Sequence, residues 1–395
     1  MKLKYCLIAL FLLIYTSVSY SQTTINGIIE NAVDGTPIPY AMVFLTNTSN
    51  GTLSDSLGHF SLMIDNGKYE LVIRSIGFVT LTYEFEHTEI QDKLYRFKLA
   101  SDDLVLSELE VNSKRDQAWY GNLEIFKRYF LGTSTNSQKI KLENPNILVL
   151  DDQSTPKVLI ARANDALLIE NANLGYTIRY ILQNFEYSKA DFRVFYGGYA
   201  FFTSDSTLSK RKIKQVGKSR VRAYLGSTMH FMRAVYEGKV EEEGFIVRRL
   251  KKIPNINRPD DEELNTIAEN FRTGRPTPYS FEEYARLKRL PKTIDVLDKN
   301  PLDLSQMIEE GEGGQKVLKF EDYLQVIYTK SKPDQNYPNP QNLQIQESLI
   351  HFLNGQIVIY ENGSYSPPYD LLFEGYMGWM KTGDMLPLDY YPESK

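Results

Sequence analysis

The residue types that most often do chemistry are scattered along this sequence. It has four histidines, which are His59, His87, His230 and His351. None lies in the H-E-x-x-H pattern that places two zinc ligands on one helix face. The G-x-S-x-G turn that exposes a serine nucleophile is also absent. We therefore predict no catalytic, metal-binding or cofactor-binding residue.

One short run resembles the end of a phosphate-binding loop. Gly217-Lys218-Ser219 has the final residues of that motif, but Lys212 stands where the loop needs its first glycine. The glycine is needed for the backbone to fold around phosphate groups. We interpret the run as the start of a helix.

Carboxylates cluster at three places in the chain, which are Asp151-Asp152, Glu241-Glu242-Glu243 and Asp260-Asp261-Glu262-Glu263. Glycoside hydrolysis needs two acids that face each other across a cleft, about 5 to 9 Å apart. Adjacent acids on a polar stretch do not provide that arrangement. A hydrolase that acts on glycan therefore stays only as an alternative.

The clearest helical pattern covers residues 221–236. Its apolar residues recur at helical spacing, so we predict one amphipathic helix that is buried on one face. On a helical wheel, His230 points away from that face and lies nearer Arg222 and Arg233. These three residues are the candidate ligand contacts, for a carboxylate or a phosphate group. The alternative is a solvated helix face.

The first twenty-odd residues have the order of a cleaved signal peptide. A positively charged start is followed by the apolar run Cys6–Tyr15, and Ser19 and Ser21 then precede Gln22. The apolar run is about half as long as a membrane-spanning helix. The sequence therefore predicts export to the periplasm or the outer-membrane surface of a gram-negative bacterium.

Export changes what the charged and sulfur-containing residues can do. Cys6 is the only cysteine, so the mature chain has no disulfide and no thiolate ligand. Cleavage removes two lysines and no acid, which moves the net charge from −5 to −7 and argues against a nucleic-acid partner. No later run approaches eighteen apolar residues, so no transmembrane helix is predicted after the signal.

Two basic runs and one aromatic run are candidates for recognition. The basic runs lie within residues 210–222 and 248–252, and the aromatic run is 195–202. Outside the cytoplasm, basic runs fit lipopolysaccharide phosphates or acidic glycans, and exposed aromatic rings fit sugars. A solvated surface and sheet packing are the alternatives. The candidate partners are an outer-membrane protein or a surface glycan.

Residues 23–100 alternate apolar and polar positions with turn residues between the runs, which predicts short antiparallel strands in a small sandwich. Asn66-Gly67 predicts a hairpin turn, because type I′ turns need positive φ at both central residues. Four segments resemble the carboxypeptidase-like regulatory domain: Asn26–Ile29, Gly35–Ala41, Gly51–Phe60 and Ser75–Phe78.

This resemblance covers about residues 23–112. It implies a transthyretin-like sandwich of the kind found in front of TonB-dependent receptors, acting as an accessory module without the peptidase's zinc ligands. The receptors continue into a plug and a barrel, whereas the sequence after residue 112 does not resemble either. An adaptor of a TonB-dependent uptake system is therefore a further alternative.

The later region predicts both helices and strands. Ala118–Phe130 has helical spacing and ends at Gly132, and residues 148–160 are predicted to form a strand. Residues 176–182 alternate as a strand does, with a helix as the alternative. Asn354-Gly355 predicts a second hairpin. Several of its motifs resemble a group of uncharacterised envelope proteins, including Leu174-Gly175-Tyr176, Tyr224-Leu225-Gly226-Ser227 and Leu386-Pro387-Leu388-Asp389-Tyr390.

The sequence as a whole predicts a mainly β protein with some α-helix. We expect a signal peptide at 1–21, a transthyretin-like β-sandwich at 22–112, and a larger α+β domain at 113–395 with a proline- and charge-rich helical insertion at about 254–314. The expected function is that of a non-enzymatic envelope protein. Its sandwich would be an accessory or docking module, and its larger domain would bind a surface partner or ligand.

Overall fold

The computed structural model describes residues 23–65, 67–102, 115–311, 314–338 and 344–392. The predicted signal peptide and the end of the predicted sandwich, residues 103–112, lie outside the described residues. The chain divides into two compact units. The first unit takes in the described residues up to Asp102 together with Tyr199–Phe202. The second takes in the described residues from Arg115 to Gly198 and from Thr203 onward.

The first unit consists of two β-sheets. Its strands are β1 (Thr23–Asn31), β2 (Met42–Leu45), β3 (Gly51–Leu53), β4 (His59–Ile64), β5 (Lys68–Arg74), β6 (Leu81–Glu86) and β7 (Leu94–Leu99). One sheet has the order β4-β1-β7 and the other β3-β2-β5-β6. Strands β1 and β7 run parallel, and β1 and β4 run antiparallel.

Alternating apolar residues explain how these sheets pack. In β4, Phe60, Leu62 and Ile64 are buried while the residues between them are exposed. They belong to a continuous apolar core that includes Ile29 and Phe85. The N-terminal β-sandwich and the mainly β fold class are therefore confirmed, because one face of each strand has the period-2 pattern that a sandwich buries.

The second unit begins with a helix and a large sheet. Its first elements are α1 (Gln117–Phe126), a π-helical turn (Lys127–Leu131), β8 (Ile140–Leu142), β9 (Leu148–Asp151), β10 (Val158–Ala163), β11 (Leu167–Asn171), β12 (Tyr176–Ser188), β13 (Val194–Ser204, of which Tyr199–Phe202 belong to the first unit), α2 (Lys210–Tyr224) and α3 (Thr228–Glu237). The sheet has the order β8-β11-β12-β10-β9, and β13 also pairs with β12.

Two further sheets follow along the chain. The remaining elements are β14 (Phe245–Pro254), α4 (Asp261–Thr273), α5 (Phe281–Arg289), β15 (Thr293–Leu297), β16 (Ile308–Glu310), β17 (Lys316–Lys319), β18 (Tyr323–Tyr328), β19 (Gln346–Phe352), β20 (Gln356–Ile359), β21 (Tyr365–Ser366), β22 (Leu371–Glu374) and α6 (Gly375–Trp379). The orders are β15-β14-β18-β19-β22 and β16-β17-β20-β21. Helix α3 packs into their shared apolar core.

The predicted single helix over residues 221–236 is wrong. The segment contains the end of α2 and all of α3. Gly226 separates them with φ +81°, and a Cβ at this position would overlap the side-chain oxygen of Gln346. Ser227 then caps α3 by accepting a hydrogen bond from the backbone N–H of His230, at 3.2 Å. The apolar residues of two consecutive helices therefore gave the spacing that was interpreted as one amphipathic helix.

Both predicted hairpins are also wrong. Strand β4 pairs with β1, whereas β5 pairs with β2 and β6, so the chain changes sheet between the end of β4 at Ile64 and the start of β5 at Lys68. Similarly, β19 and β20, on either side of Asn354-Gly355, lie in different sheets. A glycine with positive φ reverses the chain, but the burial of each strand's apolar face decides which strands pair.

Two smaller expectations also change. Gly217-Lys218-Ser219 lies inside α2, which begins after the cap residue Ser209, so it is not a helix start. The predicted strand at 148–160 is divided into β9 and β10 by a loop. Among the described residues, no helix has both the length and the apolar character needed to cross a membrane.

Candidate functional site

A wide cleft of about 1420 Å³ lies within the second unit. Three segments form most of its wall: the π-helical turn with the loop after it, the β12–β13 hairpin, and the stretch from β21 to Lys381. Ligand pockets for small molecules usually measure about 300 to 1000 Å³. This cleft is larger, and it fits a segment of an extended ligand better than a single small molecule.

Aromatic rings are exposed along the hairpin side of the cleft. Phe192 is 71% exposed, Phe195 43% and Tyr369 41%. The rings of Phe195 and Tyr369 lie 5.2 Å apart at a tilted angle. A Cβ at Gly197 would overlap the Tyr369 ring, so glycine in β13 is what lets this ring lie against the strand.

Phe192 has an unusual backbone as well as an exposed ring. Its φ is +60°, in the left-handed region that bulky residues rarely adopt. Such conformations cost of order 1–3 kcal/mol and cluster at functional sites. The hairpin between β12 and β13 therefore holds a large apolar side chain in solvent at a conformational cost, as expected for a ligand contact.

A packed aromatic layer adjoins the cleft at Tyr196, which is one of the lining residues. Phe126 and Phe130 stack at 4.9 Å, and Phe130 meets the edges of Tyr180 and Tyr196 at 5.0 and 5.3 Å. Burial raises the pKa of Tyr196 to about 12, so its hydroxyl stays protonated.

A second aromatic group lies at the C-terminal side of the cleft. The Trp379 ring, which lines the cleft, packs against Tyr337 at 5.3 Å and Tyr376 at 5.6 Å. The Tyr376 hydroxyl accepts a hydrogen bond from the backbone N–H of Asp334 at 3.2 Å. The cleft thus has aromatic surface on two sides, with polar groups between them.

Several charged residues that line the cleft are already paired. Arg193 and Asp191 form an ion pair at 3.1 Å, Lys252 and Glu374 form one at 3.0 Å, and Lys292 pairs with Asp261. Such partly exposed pairs contribute little to stability, but they satisfy the charges of the groups involved.

Arg128, Glu186 and Lys381 also line the cleft, and they lack an oppositely charged partner within 4 Å in the described part of the chain. Lys381 is the most enclosed of these three, since Arg128 and Glu186 are exposed. Its ammonium group donates a hydrogen bond to the backbone oxygen of Gly378. Burial lowers the pKa of Lys381 to about 8.

A buried polar network fixes the turn that follows Lys381. Asp384 accepts hydrogen bonds from Ser134 Oγ at 2.8 Å and Asn136 Nδ2 at 2.9 Å. Asn171 Nδ2 donates to the backbone oxygen of Gly383 at 2.8 Å. Burial raises the pKa of Asp384 to about 6. The network joins residues far apart in sequence, and so sets where this wall of the cleft lies.

The predicted ligand contacts lie outside this cleft lining. His230 is only 2% exposed, so the expectation that it faces solvent is wrong. The break between α2 and α3 changes the helical phase, which turns His230 toward Phe245 and Tyr328. Its Nδ1 accepts from Gly226 N at 3.1 Å, and its Nε2 lies 3.1 Å from Glu243.

The two arginines of that prediction have different surroundings. Arg233 is 3% exposed and donates to the backbone oxygens of Asn362, Leu388 and Tyr390 at 2.8 to 3.0 Å. It also lies over the Tyr224 ring, which contacts His230. Arg222 is exposed on α2. The structure thus brings His230 and Arg233 together around Tyr224, where both serve internal contacts, and a ligand role for all three stays a prediction.

The two basic runs lie on different elements, and Lys252 of the second run lines the cleft, as do Phe195 and Tyr196 of the aromatic run. The first basic run lies on α2, where Arg220 covers the Tyr176 ring at 3.9 Å. The second run lies on β14, where Arg249 pairs with Asp322. His351 stacks on Tyr323 at 4.4 Å. In the described residues, no group of three or more histidine, cysteine, aspartate or glutamate side chains could hold a metal ion.

Sequence reasoning missed the residues that matter most in the cleft, namely Phe192, Tyr369, Lys381 and Asp384. One signal was available, because Gly197-Gly198 interrupts an aromatic strand, and a glycine in a strand marks a close approach by another group. Asp384 is held by Ser134, which lies 250 positions away in the sequence, so no local pattern could reveal it.

The sandwich resembles a known protein family. Residues 25–111 match the family model of the CarboxypepD_reg-like domain. The first unit carries a CarboxypepD_reg-like domain. The match confirms the resemblance seen in the sequence. The matched residues include the strands from β1 to β7. No curated protein matches the sequence.

Solved structures offer weaker likenesses. A chain of a type II cohesin–X-dockerin complex from Acetivibrio cellulolyticus is 21% identical, covers 31% of this chain and 84% of its own, and has a TM-score of 0.18. A protein of unknown function from Bacteroides fragilis, described as membrane-associated, is 8% identical over 85% and 92%, with a TM-score of 0.17. A DUF3823 family protein from Parabacteroides merdae is 11% identical over 47% and 82%, with a TM-score of 0.15. Scores this low carry no argument about function.

Proposed function

We propose that this is an exported, non-enzymatic envelope protein whose second unit binds an extended glycan in the aromatic cleft. The CarboxypepD_reg-like domain serves as an accessory or docking module toward an outer-membrane partner. The signal-peptide pattern at residues 1–21 supports export. The observation that carries the binding function is the exposure of Phe192, Phe195 and Tyr369 around a cleft of about 1420 Å³.

Glycan is the ligand class that this lining suits best. Sugar rings have apolar faces bordered by hydroxyl groups, so they need flat aromatic surface flanked by hydrogen-bonding groups. The cleft offers both, because tyrosine and tryptophan combine an apolar ring with a polar group. Its size also suits several linked sugars. A purely apolar ligand would remove water from the charged residues of the wall that have no ion-pair partner among the described residues, such as Lys381, without replacing it.

The proposal is tested with the mature chain, residues 22–395. A glycan array identifies oligosaccharides that bind, and isothermal titration calorimetry then measures their affinity. Replacing Phe192 by alanine removes one stacking surface, so we expect the affinity to fall about three- to tenfold. Phe281→Ala is the matched control, since Phe281 is 68% exposed but does not line the cleft.

Two results would contradict the proposal. One is an array with no bound oligosaccharide, neutral or acidic. The other is an equal effect of Phe192→Ala and Phe281→Ala. Mass spectrometry of the oligosaccharides after incubation separates binding from hydrolysis, because shortened products would favour the alternative of an exported glycan hydrolase. Sequencing the N-terminus of the protein from an envelope fraction checks export, with Gln22 as the expected first residue.

The docking role of the CarboxypepD_reg-like domain needs its own experiment. In-cell crosslinking of the tagged mature protein, followed by mass spectrometry, should recover an outer-membrane protein. A chain without residues 23–112 should lose that partner and keep its glycan binding. Recovery of the same partner by the shortened chain would contradict the docking role, and leave the cleft proposal intact.

A further inference from the structure

Lys381 lies between α6 and the buried turn at Asp384. Its side chain lines the cleft, and its stem passes over Gly132. A Cβ at Gly132 would lie 3.0 Å from Cβ of Lys381, and Gly132 has φ +91°. Glycine is therefore the residue that suits this backbone and leaves room for the lysine. The close contact between Gly132 and the stem of Lys381 therefore restricts where the lysine side chain can lie.

The surroundings of Lys381 leave its charge without a counter-ion. Two of the acids that line the cleft, Asp191 and Glu374, already pair with Arg193 and Lys252. In the described residues, no carboxylate oxygen lies within 4 Å of the Lys381 ammonium group, which has the backbone oxygen of Gly378 as its hydrogen-bond partner. One carbonyl group satisfies only one of the three N–H donors of an ammonium group.

An enclosed cation without a counter-ion is unfavourable, because burial disfavours the charged form. The depressed pKa of Lys381 has this cause. A ligand carboxylate beside it would supply the missing charge and two acceptor oxygens. A charge-assisted hydrogen bond of this kind is about twice as strong as a neutral one.

We propose that the cleft selects acidic oligosaccharides and that Lys381 pairs with their carboxylate group. The inference rests on the proposed glycan binding and names its ligand class. Arg128, exposed on the π-helical turn, adds a second uncommitted cation at the same wall. Glu186 is the uncommitted acid in the lining, and it is exposed to water on β12. Among the described residues, the charged lining residues without an ion-pair partner therefore comprise two cations and one exposed acid, and this balance favours an anionic ligand.

The test compares two ligands that differ only in charge. One is a uronic-acid oligosaccharide of about four to six sugars, a length that suits a cleft larger than a small-molecule pocket, and the other is the same oligosaccharide after carboxyl reduction. Calorimetry on the mature chain should show at least about tenfold tighter binding of the acidic ligand, as expected for a charge-assisted hydrogen bond. Lys381→Met keeps an apolar stem over Gly132 and should remove that preference while the neutral ligand still binds.

Two variants control the measurement. Lys292→Met removes a lysine that also lines the cleft but pairs with Asp261, so it should leave the preference within about twofold, as for other exposed pairs. Lys381→Arg keeps the charge and should keep most of the preference. If the Lys381→Met protein binds neither ligand, the Lys381→Arg protein decides the question. A preference of Lys381→Arg for the acidic ligand still supports the proposal, and the absence of that preference overturns it.

The outcomes separate this inference from the function on which it rests. Equal affinity of the wild-type chain for both ligands overturns the role of Lys381 and leaves glycan binding standing. A preference for the acidic ligand that persists in Lys381→Met also overturns it. Failure of the wild-type chain to bind either ligand, or any other oligosaccharide of the array, overturns the proposed function itself.

Discussion

The two units bury different kinds of side chain. In the first unit, the buried residues are almost all apolar, and the buried polar ones among the described residues are Thr48 and Ser54. The second unit buries an acid, an arginine, a histidine and several amides and hydroxyl groups, including Asp384, Arg233 and Asn171. The first unit is thus stabilised mainly by apolar packing, whereas the second also depends on hydrogen bonds between distant loops.

This difference explains why the cleft lies in the second unit. Apolar burial has no direction, so it holds sheets together without fixing the position of a loop to within a fraction of an ångström. Buried hydrogen bonds are directional, and an unpaired buried group costs about 1 to 3 kcal/mol, so they allow one arrangement. The walls of the cleft are loops and short elements, and they need that kind of support.

The largest effect is expected from the apolar core of the first unit. Phe85 is 1% exposed, and Phe85→Ala should lower the free energy of unfolding of the sandwich by about 3 to 5 kcal/mol. Hydrogen exchange measured by mass spectrometry should show faster exchange in β1–β7. Met63→Ala, at a position that is 60% exposed, should change exchange little. If Phe85→Ala also abolishes oligosaccharide binding, the two units do not work independently.

The second-largest effect is expected from a substitution in the buried polar network of the second unit. Asn171→Ala leaves the backbone N–H groups of Asn173 and Leu174 and the Gly383 oxygen without their partner, so we expect a loss of about 2 to 3 kcal/mol. Both tryptophans, Trp119 and Trp379, lie in the second unit, so their fluorescence during urea unfolding reports on it alone.

A matched control for that variant is Asn164→Ala, since Asn164 is exposed. Its urea midpoint should stay close to that of the wild type. Equal midpoints for Asn171→Ala and the wild type would show that apolar packing supports this unit as it does the sandwich, and the contrast between the units would fail.

Because of Asp384, the stability of the second unit should depend on pH. Its pKa in the folded chain is about 6, above the value of about 3.9 for an unfolded aspartate, so the folded state binds the proton more tightly. The resulting stability is present below about pH 4 and is lost as the pH rises through 6. Asp384→Asn should remove this dependence and raise stability at pH 7.5 by about 2 kcal/mol relative to the wild type.

Tryptophan fluorescence at pH 4.5 and pH 7.5 checks this expectation. The difference between the wild type and Asp384→Asn should grow with pH, because only the wild type has a buried carboxylate there. A difference that is constant between the two pH values would mean that Asp384 does not titrate in this range, and that the network carries its charge without cost.

The smallest effect concerns ligand affinity and Lys381. The pKa of about 8 means that the free protein loses this charge above neutral pH. Affinity for the uronic-acid oligosaccharide should therefore fall about tenfold between pH 7 and pH 9, while affinity for the reduced oligosaccharide stays constant. Lys381→Arg should show no such fall, since arginine stays charged. A parallel fall for both oligosaccharides would point to a different titrating group.

Much of the first unit follows from its sequence. Period-2 alternation at Phe60, Leu62 and Ile64 specifies which face of the strand is buried, because each step along a strand reverses the side-chain direction. The sheet to which each strand belongs does not follow, because the consecutive strands β4 and β5 lie in different sheets. Local turn chemistry reverses the chain, but strand pairing depends on contacts with strands elsewhere in the chain.

The sequence by itself determined the mainly β class, the CarboxypepD_reg-like domain and the helix near Trp119, because local periodicity and short motifs encode each of them. Only the tertiary structure decided that α2 and α3 are separate helices, that His230 is buried, and that Lys381 faces a cleft. The physical reason is that these features depend on contacts with residues elsewhere in the chain. Tyr328 packs against His230, and Gly132 contacts the stem of Lys381, and no local pattern records such contacts.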